Sequence, residues 1–245
     1  MNYIIFGAST GISYELVNLI IKKDKNPYFF FSSSNIENLK KLVNKFNLSV
    51  NQYDLYSLDL TNNEINLESL LKALKKYLEG KNYIYFFPSI PCLSEGKIST
   101  EKVETIININ FNSFIKIFNC LLDRMKMTEV ITYTSSIACI RPKSKNYLYS
   151  ASKTGIESYL KSLMHYFKYE KPYIQIFRLG FISDNNTKKD LLKRQLSASP
   201  LKISNFIYSK NKESRSDLFY YPKKTVLLKF ILMLMPRYLF KKLKI

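Results

Sequence analysis

Residues 4–13 read Ile-Ile-Phe-Gly-Ala-Ser-Thr-Gly-Ile-Ser, an apolar run that ends in a short turn containing two glycines. The run predicts a buried strand, and the residues after the turn begin a helical pattern. Gly7 permits a tight turn, and Gly11 lets the backbone come close to a ligand at the start of the helix, where unpaired N–H groups attract anions. The stretch therefore predicts a site for the phosphates of a nucleotide; the alternative is a plain strand-to-helix connection.

The rest of the chain continues the alternation of strand and helix, which is typical of a parallel sheet wound with helices. The predicted strands are Tyr3–Phe6, Pro27–Phe31, Val50–Leu55, Asn82–Phe87, Glu129–Thr134, Tyr173–Arg178 and Asp217–Tyr220. The predicted helices are Gly11–Lys23, Ile36–Phe46, Leu67–Leu78, Glu101–Met125 and Tyr147–Lys168. Most of these strands are continuous apolar runs, as expected when both faces are covered. We therefore predict a Rossmann-type doubly wound parallel sheet in a three-layer α/β/α arrangement.

The composition is that of a globular protein in a reducing compartment. The chain has 245 residues, 46% of them hydrophobic and 23% charged, which suits one domain and excludes disordered, collagen-like and low-complexity classes. Its three cysteines lack metal-type spacing, so we predict neither a disulfide framework nor a metal site. The N-terminus has no features of a secretory signal, and we expect a cytoplasmic protein.

Positive charge is concentrated towards the C-terminus. The formal net charge is +19, and residues 187–245 hold 15 Lys or Arg residues against 3 Asp or Glu. Such a surplus attracts nucleic acid, anionic lipid or a phosphorylated substrate, although a coding bias towards lysine explains it equally well. The aromatic residues fall mostly on predicted strands and helix faces, where they serve as core, so we predict no nucleic-acid partner.

Residues 223–245 combine apolar side chains with cations. Lys229 and Pro236 interrupt the apolar part, which is too short for the ~20 residues of a membrane span. Cations bracket it, as in helices that lie in a membrane interface. The alternatives are packing on a second subunit or closure over the functional site. We separate this basic, apolar helical extension from a domain of residues 1–222, and favour an anionic membrane surface at the inner face of the membrane as its partner.

A second chemical signal is Tyr149-Ser150-Ala151-Ser152-Lys153, which Ser136 precedes by thirteen residues. Because Tyr149 and Lys153 are four residues apart on a predicted helix, their side chains emerge on one face. An ammonium group stabilises a neighbouring phenolate and so moves a phenol pKa from ~10 towards the range useful for proton transfer. The alternative is a solvated pair on a helix surface.

These features together resemble the classical branch of the short-chain dehydrogenase/reductase family, over about residues 1–185. The resemblance rests on segments that follow the order of the family: Gly7–Ile12, Asp59 in Leu58–Thr61, Asn110 in Asn108–Phe111, Ser136 in Thr134–Ala138, Tyr149 with Lys153, and Gly180 in Arg178–Ile182. It implies hydride transfer between a nicotinamide cofactor and a carbonyl or secondary alcohol, by a homodimer or homotetramer that acts on small molecules.

The resemblance also implies a role for each member of a catalytic tetrad. Tyr149 would be the general acid in reduction and the base in oxidation, while Lys153 would lower its pKa and hold the nicotinamide ribose. Ser136 would donate a hydrogen bond to the substrate oxygen, and Asn110 would place a water that links Lys153 to solvent. The implied cofactor-binding residues are Gly7, Ser9, Thr10, Gly11, Ile12, Ser33, Ser34, Asp59, Leu60, Tyr149, Lys153, Gly180 and Ile182.

The end of the second predicted strand bears on the choice between NADP and NAD. An acidic side chain usually binds the ribose 2′-hydroxyl of NAD there, and none occurs before Glu37. Ser32, Ser33 and Ser34 offer hydroxyl donors to a 2′-phosphate, so NADP(H) is favoured over NAD(H). The alternative is that these serines only form a loop and cap the next helix.

Four positions depart from the family pattern. Ser13 replaces a third glycine, Phe86–Ser89 replaces an Asn-Asn-Ala-Gly segment, Leu179 replaces a proline and Asp184 replaces a threonine. The first two favour another function, that of a catalytically silent Rossmann scaffold or regulatory protein that associates through its basic tail. Retention of the whole tetrad favours the enzyme, since a scaffold does not need it. We expect the substrate lid at about residues 184–216.

Overall fold

The computed structural model describes residues 1–61, 64–87, 90, 97–183 and 194–242. The strands are β1 (Asn2–Phe6), β2 (Tyr28–Ser33), β3 (Tyr53–Ser57), β4 (Asn82–Phe86), β5 (Thr128–Ser136), β6 (Tyr173–Leu179), β7 (Phe181–Ile182), β8 (Ser197–Ala198) and β9 (Asp217–Tyr221). The helices are α1 (Gly11–Lys23), α2 (Ile36–Lys45), α3 (Leu67–Leu78), α4 (Thr100–Ile107), α5 (Ser113–Leu121), α6 (Tyr147–Tyr166), α7 (Pro200–Asn211), α8 (Lys224–Leu234) and α9 (Arg237–Lys242).

Seven strands form one parallel sheet in the order β3-β2-β1-β4-β5-β6-β9. The chain builds the sheet outward from β1 on one side and then crosses to β4 to build the other, so the strand order reverses between β1 and β4. Ligands of doubly wound sheets bind beside the carboxyl ends of the strands at such a switch point. Phe6, the last residue of β1, pairs with Ser32 of β2 and with Phe86 of β4. The predicted doubly wound parallel sheet is confirmed.

Both faces of this sheet are buried, which explains the continuous apolar strands. Ile5 and Phe31 pack in one cluster with apolar residues of α1, α2 and α7. Their sequence neighbours Ile4 and Phe30 pack in a second cluster with α3, α5 and α6. Successive side chains of a strand point to opposite faces, so each strand contributes to both clusters. The helices form the outer layers of a three-layer α/β/α arrangement.

The structure corrects two element boundaries and adds elements that the sequence analysis missed. β3 begins at Tyr53 and not at Val50, because Ser49 and Gln52 close a tight helical turn at residues 50–52, where the Ser49 N–H donates to Gln52 Oε1 at 3.0 Å. The predicted helix Glu101–Met125 contains a π turn at Asn108–Asn112 and ends in a 3-10 turn. The added elements are α7 and the short parallel pair of β7 and β8.

One helical stretch, Thr100–Met127, is long and apolar enough by composition to cross a membrane. It lies against the sheet in this fold, with Phe114, Ile117, Phe118 and Leu121 buried. We therefore assign it to the core.

Gly180 occupies a point where two backbone segments meet. A Cβ atom on Gly180 would lie 2.1 Å from the carbonyl oxygen of Leu196, a distance that no side chain tolerates. The Gly180 N–H donates to the Tyr221 carbonyl at 2.8 Å, and the next N–H, that of Phe181, donates to Leu196 O at 3.1 Å. This turn therefore joins β6, β9 and the segment before β8 at the carboxyl edge of the sheet.

We expect Gly180→Ala to reduce the free energy of unfolding by about 1–3 kcal/mol, because the new Cβ must displace a backbone carbonyl. Gly11→Ala is the matched control, since its Cβ would meet only Pro200, at an ordinary 3.5 Å. Urea denaturation without cofactor should find this control close to the wild type. Equal losses of stability in the two variants would contradict a steric clash between a Cβ atom at position 180 and the Leu196 carbonyl.

Candidate active site

The loop between β1 and α1 is held firmly against the end of β2. Gly7 has a φ of 77°, the left-handed conformation that favours glycine. The N–H groups of Gly7 and Ala8 both donate to the Ser32 carbonyl, at 2.9 and 3.0 Å. Thr10 then caps α1, with its Oγ1 accepting from the Ser13 N–H at 3.2 Å. The N-terminus of α1 thus opens at the switch point, where a bound phosphate would meet it.

Ser13, in place of a third glycine, fits this loop. The residue is fully buried, and its hydroxyl donates to the Thr10 carbonyl at 2.8 Å. The hydroxyl that this replacement adds therefore has a hydrogen-bond partner. Farther along the chain, Ser204 of α7 donates to the Ile12 carbonyl at 2.7 Å, so α7 also supports the first turn of α1.

The three serines at the end of β2 have different surroundings, and Ser32, which is only 1% exposed, is too buried to donate to a 2′-phosphate. Ser33 is 7% exposed, and its Oγ lies 2.9 Å from Ser9 Oγ, which joins the strand to the loop. Ser34 is exposed. The cap of α2 is Asn35, whose Oδ1 accepts from the N–H groups of Glu37 and Asn38. Asn35, and not one of the three serines, therefore caps α2.

Asp59 and Leu60 follow β3 at the same edge of the sheet. The exposed carboxylate of Asp59 accepts from the N–H and the hydroxyl of Thr61, at 2.9 and 2.8 Å. The Leu60 carbonyl accepts from the Ser113 hydroxyl at the start of α5, at 3.1 Å. The structure thus holds the turn after β3 in place by its own hydrogen bonds and by α5.

At the end of β4, Phe87 stands in the segment that replaces Asn-Asn-Ala-Gly. Its ring is buried in the same cluster as Ala8 and Ile12, and its N–H donates to the Phe6 carbonyl at 2.9 Å. The side chain therefore packs beneath the loop of the switch point. Pro88, Ser89 and Asp184 lie outside the described residues, as do the basic positions Lys188, Lys189 and Lys193 of the expected lid.

Asn110 lies in the π turn between α4 and α5 and is buried. Its Oδ1 accepts from the Ile90 N–H at 3.0 Å, and its Nδ2 donates to the Ile90 carbonyl at 2.9 Å. Both ends of the side-chain amide are thus used to fix the backbone that follows β4.

Tyr149 and Lys153 lie on one face of α6, next to the end of β5. The Nζ of Lys153 donates to the Thr134 carbonyl at 3.1 Å and lies 5.9 Å from the centre of the Tyr149 ring. It also lies 4.7 Å from the centre of the Tyr133 ring. Lys153 is only 1% exposed, and this burial lowers the pKa of its ammonium group to about 8, with Cys139 and Glu157 acting in the opposite direction.

Ser136 ends β5 and begins the short turn that follows it. Its Oγ accepts from the Ala138 N–H at 3.2 Å. In the sheet register Ser136 pairs with Leu179 of β6, so Gly180 follows directly beside it. The end of β5 therefore brings together the hydroxyl of Ser136, the carbonyl that holds Lys153 and the turn at Gly180.

A family model described as short chain dehydrogenase matches residues 2–195. The chain belongs to this family. The sheet and the order of its site segments place it in the classical branch of short-chain dehydrogenases/reductases, which are oxidoreductases that use a nicotinamide cofactor, act on small molecules and often form oligomers. A search of curated proteins found no match.

Solved structures show the same fold. A metagenomic short-chain oxidoreductase in complex with NADP is 13% identical, with 90% of this chain and 96% of that one covered at a TM-score of 0.73. A short-chain dehydrogenase from Streptomyces avermitilis is 15% identical, with 95% and 92% covered at a TM-score of 0.77. An alcohol dehydrogenase from the archaeon Thermococcus sibiricus, complexed with 5-hydroxy-NADP, is 14% identical, with 89% and 94% covered at a TM-score of 0.75.

This short-chain dehydrogenase has a buried ion pair close to Lys153 that could not be predicted from the motifs. Glu157, one turn beyond Lys153 on α6, accepts from Arg178 Nε at 2.8 and 3.1 Å, and also from Arg178 Nη2. Ser135 donates to the same carboxylate at 2.5 Å, and Arg178 Nη1 donates to the Tyr220 hydroxyl at 2.6 Å. Although burial alone lowers it, the pKa of Arg178 is raised by the hydrogen bond and charge of Glu157. A lone arginine inside the apolar run of β6 was the available signal.

Glu157→Gln should reduce the free energy of unfolding by about 3–5 kcal/mol, because it leaves the Arg178 guanidinium without its counter-charge in a site that is 12% exposed. Urea denaturation at neutral pH measures the loss. Glu37→Gln is the control, since the pair of Glu37 with Lys40 is exposed and should contribute less than about 1 kcal/mol. If Glu157→Gln does not fold, the apolar double variant Glu157→Met/Arg178→Met should restore folding; equal small losses in the two single variants would contradict a buried pair.

Lys153→Met should raise the stability of the protein at neutral pH. The pKa of the ammonium group is 10.5 in the unfolded chain and about 8 in the folded protein. Below pH 8 the group is charged in both states, and burying that charge reduces the free energy of unfolding by about 3 kcal/mol. That cost disappears as the pH rises from 8 to 10.5, and the advantage of the variant should shrink over the same range. Denaturant midpoints across these pH values test this, with the exposed Lys72→Met as control. A stability gain of Lys153→Met that does not change with pH would contradict the lowered pKa of Lys153.

Proposed function

We propose that this protein transfers hydride between NADP(H) and a carbonyl or secondary alcohol of a small-molecule substrate, with Tyr149 as the general acid and base. The observation that carries the proposal is the placement of Tyr149 and Lys153 on one face of α6, with Lys153 bonded to the Thr134 carbonyl two residues before Ser136. The catalytically silent scaffold is less well supported, because burying Lys153 costs stability and a scaffold gains nothing from it.

The residues of the chain divide the chemistry as follows. When bound, the nicotinamide supplies or accepts the hydride. In reduction the Tyr149 hydroxyl gives its proton to the oxygen of the substrate carbonyl, and in oxidation the phenolate takes that proton back. The Lys153 ammonium stabilises the phenolate and binds the nicotinamide ribose, and the Ser136 hydroxyl donates a hydrogen bond to the substrate oxygen as negative charge develops there.

The switch point fits a dinucleotide. The loop at Gly7, Ser9, Thr10, Gly11 and Ile12 presents the N-terminus of α1 to the diphosphate, and no Cβ on Gly11 obstructs it. Asp59 and Leu60 would hold the adenine, and Gly180 with Ile182 would lie beside the nicotinamide. The exposed Ser34, with Ser33 behind it and no acidic residue between β2 and Glu37, favours a 2′-phosphate. Two of the structural relatives contain NADP or 5-hydroxy-NADP.

We propose that Asn110 places the water that links Lys153 to solvent. One donor and one acceptor of its side-chain amide bind the Ile90 backbone, and the amide retains a second of each for a water. A small cavity beside Asn110 is lined mostly by apolar side chains, with Leu60 and Tyr133 among them. Within the described residues the buried Tyr133 hydroxyl has no hydrogen-bond partner, and Lys153 Nζ lies 4.7 Å from the centre of the Tyr133 ring.

We propose a homodimer or homotetramer in the cytoplasm, with residues 1–222 as the Rossmann domain and residues 223–245 as the extension that meets the inner face of the membrane. Within the expected lid, α7 packs in the core through Ile203 and Ile207. Substrate contacts would therefore come from the segment before α7.

Fluorescence titration should show saturable binding of NADPH, and clearly weaker binding of NADH. Tyr149→Phe should keep the NADPH affinity, because it removes only the hydroxyl, and should reduce turnover of a carbonyl substrate by at least about 100-fold, since general acid catalysis contributes 10²–10⁴-fold. Failure to bind either nucleotide would overturn the proposal. Tighter binding of NADH would overturn the choice of NADP(H), and full activity of Tyr149→Phe would overturn the role of the phenol.

A further inference from the structure

The C-terminal helical pair, residues 223–242 with α8 and α9, has an apolar face turned towards solvent. On α8, Thr225 is fully buried and Leu232 is 7% exposed, so these residues hold the helix on the protein. On the opposite side of the helix lie apolar residues at helical spacing: Leu227 (65% exposed), Phe230 (54%), Ile231 (47%) and Leu234 (83%). A surface helix ordinarily turns polar residues outward, so this face is suited to an apolar partner.

The charge around this face indicates which partner it is. Residues 218–245 contain seven Lys or Arg residues and no Asp or Glu, and among the described side chains Lys223, Lys224 and Arg237 of the helical pair are exposed. A second copy of the same face would bring these like charges together, which disfavours a symmetric subunit contact. Anionic lipid headgroups would pair with the cations, and the acyl layer would receive the apolar side chains.

The helical pair is attached to both sides of the proposed active site. Arg141, five residues after Ser136, donates through Nη1 to the carbonyls of Leu232 and Met235 at 2.7 and 2.5 Å. Its guanidinium carbon lies 4.2 Å from the centre of the Phe240 ring. On the other side, Thr225 and Pro222 pack against Gly180, the turn beside Ser136.

We propose that the C-terminal helical pair docks on an anionic lipid bilayer, and that it thereby presents the active site to a substrate whose carbonyl or hydroxyl is carried by a membrane-borne amphiphile. The second half rests on the proposed function. A bilayer against the outer face of α8 lies next to the segment between Ser136 and Tyr149 that Arg141 holds. An amphiphile can then keep its chain in the lipid while its polar end reaches Tyr149.

Flotation with vesicles tests the docking. The full-length protein should float with vesicles of phosphatidylcholine and phosphatidylglycerol, and much less with phosphatidylcholine alone. Leu227→Ser/Phe230→Ser/Leu234→Ser should weaken partitioning by about tenfold or more, because it removes the apolar anchor. Lys223→Gln/Lys224→Gln should weaken it by about fivefold for each cation removed.

Matched controls separate docking from general surface effects. Val50→Ser/Met127→Ser/Tyr166→Ser changes three side chains that are 79%, 48% and 68% exposed elsewhere, and should float like the wild type. Lys41→Gln/Lys72→Gln is the control for charge. Equal flotation of the tail and control variants would overturn the proposal, as would a serine triple variant that converts a dimer to a monomer in sedimentation velocity without changing flotation.

A pair of ketones tests the substrate class. With phosphatidylglycerol vesicles and NADPH, turnover of a long-chain ketone should fall about tenfold or more in the serine triple variant, in line with its lost partitioning. In the same variant, the turnover of a short water-soluble ketone should equal that of the wild type, and so should the affinity for NADPH. An equal loss of turnover for both ketones would overturn the proposal that the substrate is an amphiphile. Absence of NADPH binding in the wild type would overturn the proposed function and leave the flotation result intact.

Discussion

Two opposite charges, buried one turn apart on α6, determine how this helix meets the sheet at the proposed active site. Lys153 has the Thr134 carbonyl as its hydrogen-bond acceptor, while Glu157 has Arg178 and Ser135. These partners lie at the ends of β5 and β6, so α6 can sit in only one position relative to the strand ends without leaving a charge unpaired. Ser136 follows Ser135 directly and Gly180 lies two residues after Arg178, so both are placed as a result. The Glu157–Arg178 pair therefore holds α6 against the strand ends, where Lys153 is buried at a cost in stability.

The proposed cofactor half of the site depends on a different constraint, that of close backbone packing. The Ser32 carbonyl accepts two N–H groups from the loop after β1, and Ser13 beneath the loop is buried with its hydroxyl bonded. Phe87 fills the space under the loop with an apolar ring. The switch point is thus rigid before any ligand binds, which lowers the entropy lost on binding.

Most of the fold could be predicted from the sequence, because long apolar strands and regularly spaced helices leave a strong periodic signal. The seven strands of the main sheet were all anticipated, including β9. Helix α7 was missed although Ser199 caps it and Pro200 occupies its first turn, since its apolar residues are interleaved with polar ones that contact other elements. The strand boundary at Val50 was wrong, because a local side-chain hydrogen bond at Ser49 competed with the strand.

The residues of the proposed site could be named from sequence, but the hydrogen-bond partners in and around that site could not. The bonds from Asn110 to Ile90 and from Glu157 to Arg178 join residues about twenty positions apart whose contact depends on the packing of whole elements. Another contact, between Ser204 and the Ile12 carbonyl, spans 192 positions. During synthesis the first turn of α1 emerges early, yet its support by α7 cannot form until most of the chain has left the ribosome. The loop between β1 and α1 is therefore among the first segments to be made and among the last to be completed, and a prematurely terminated chain would lack the support of α7.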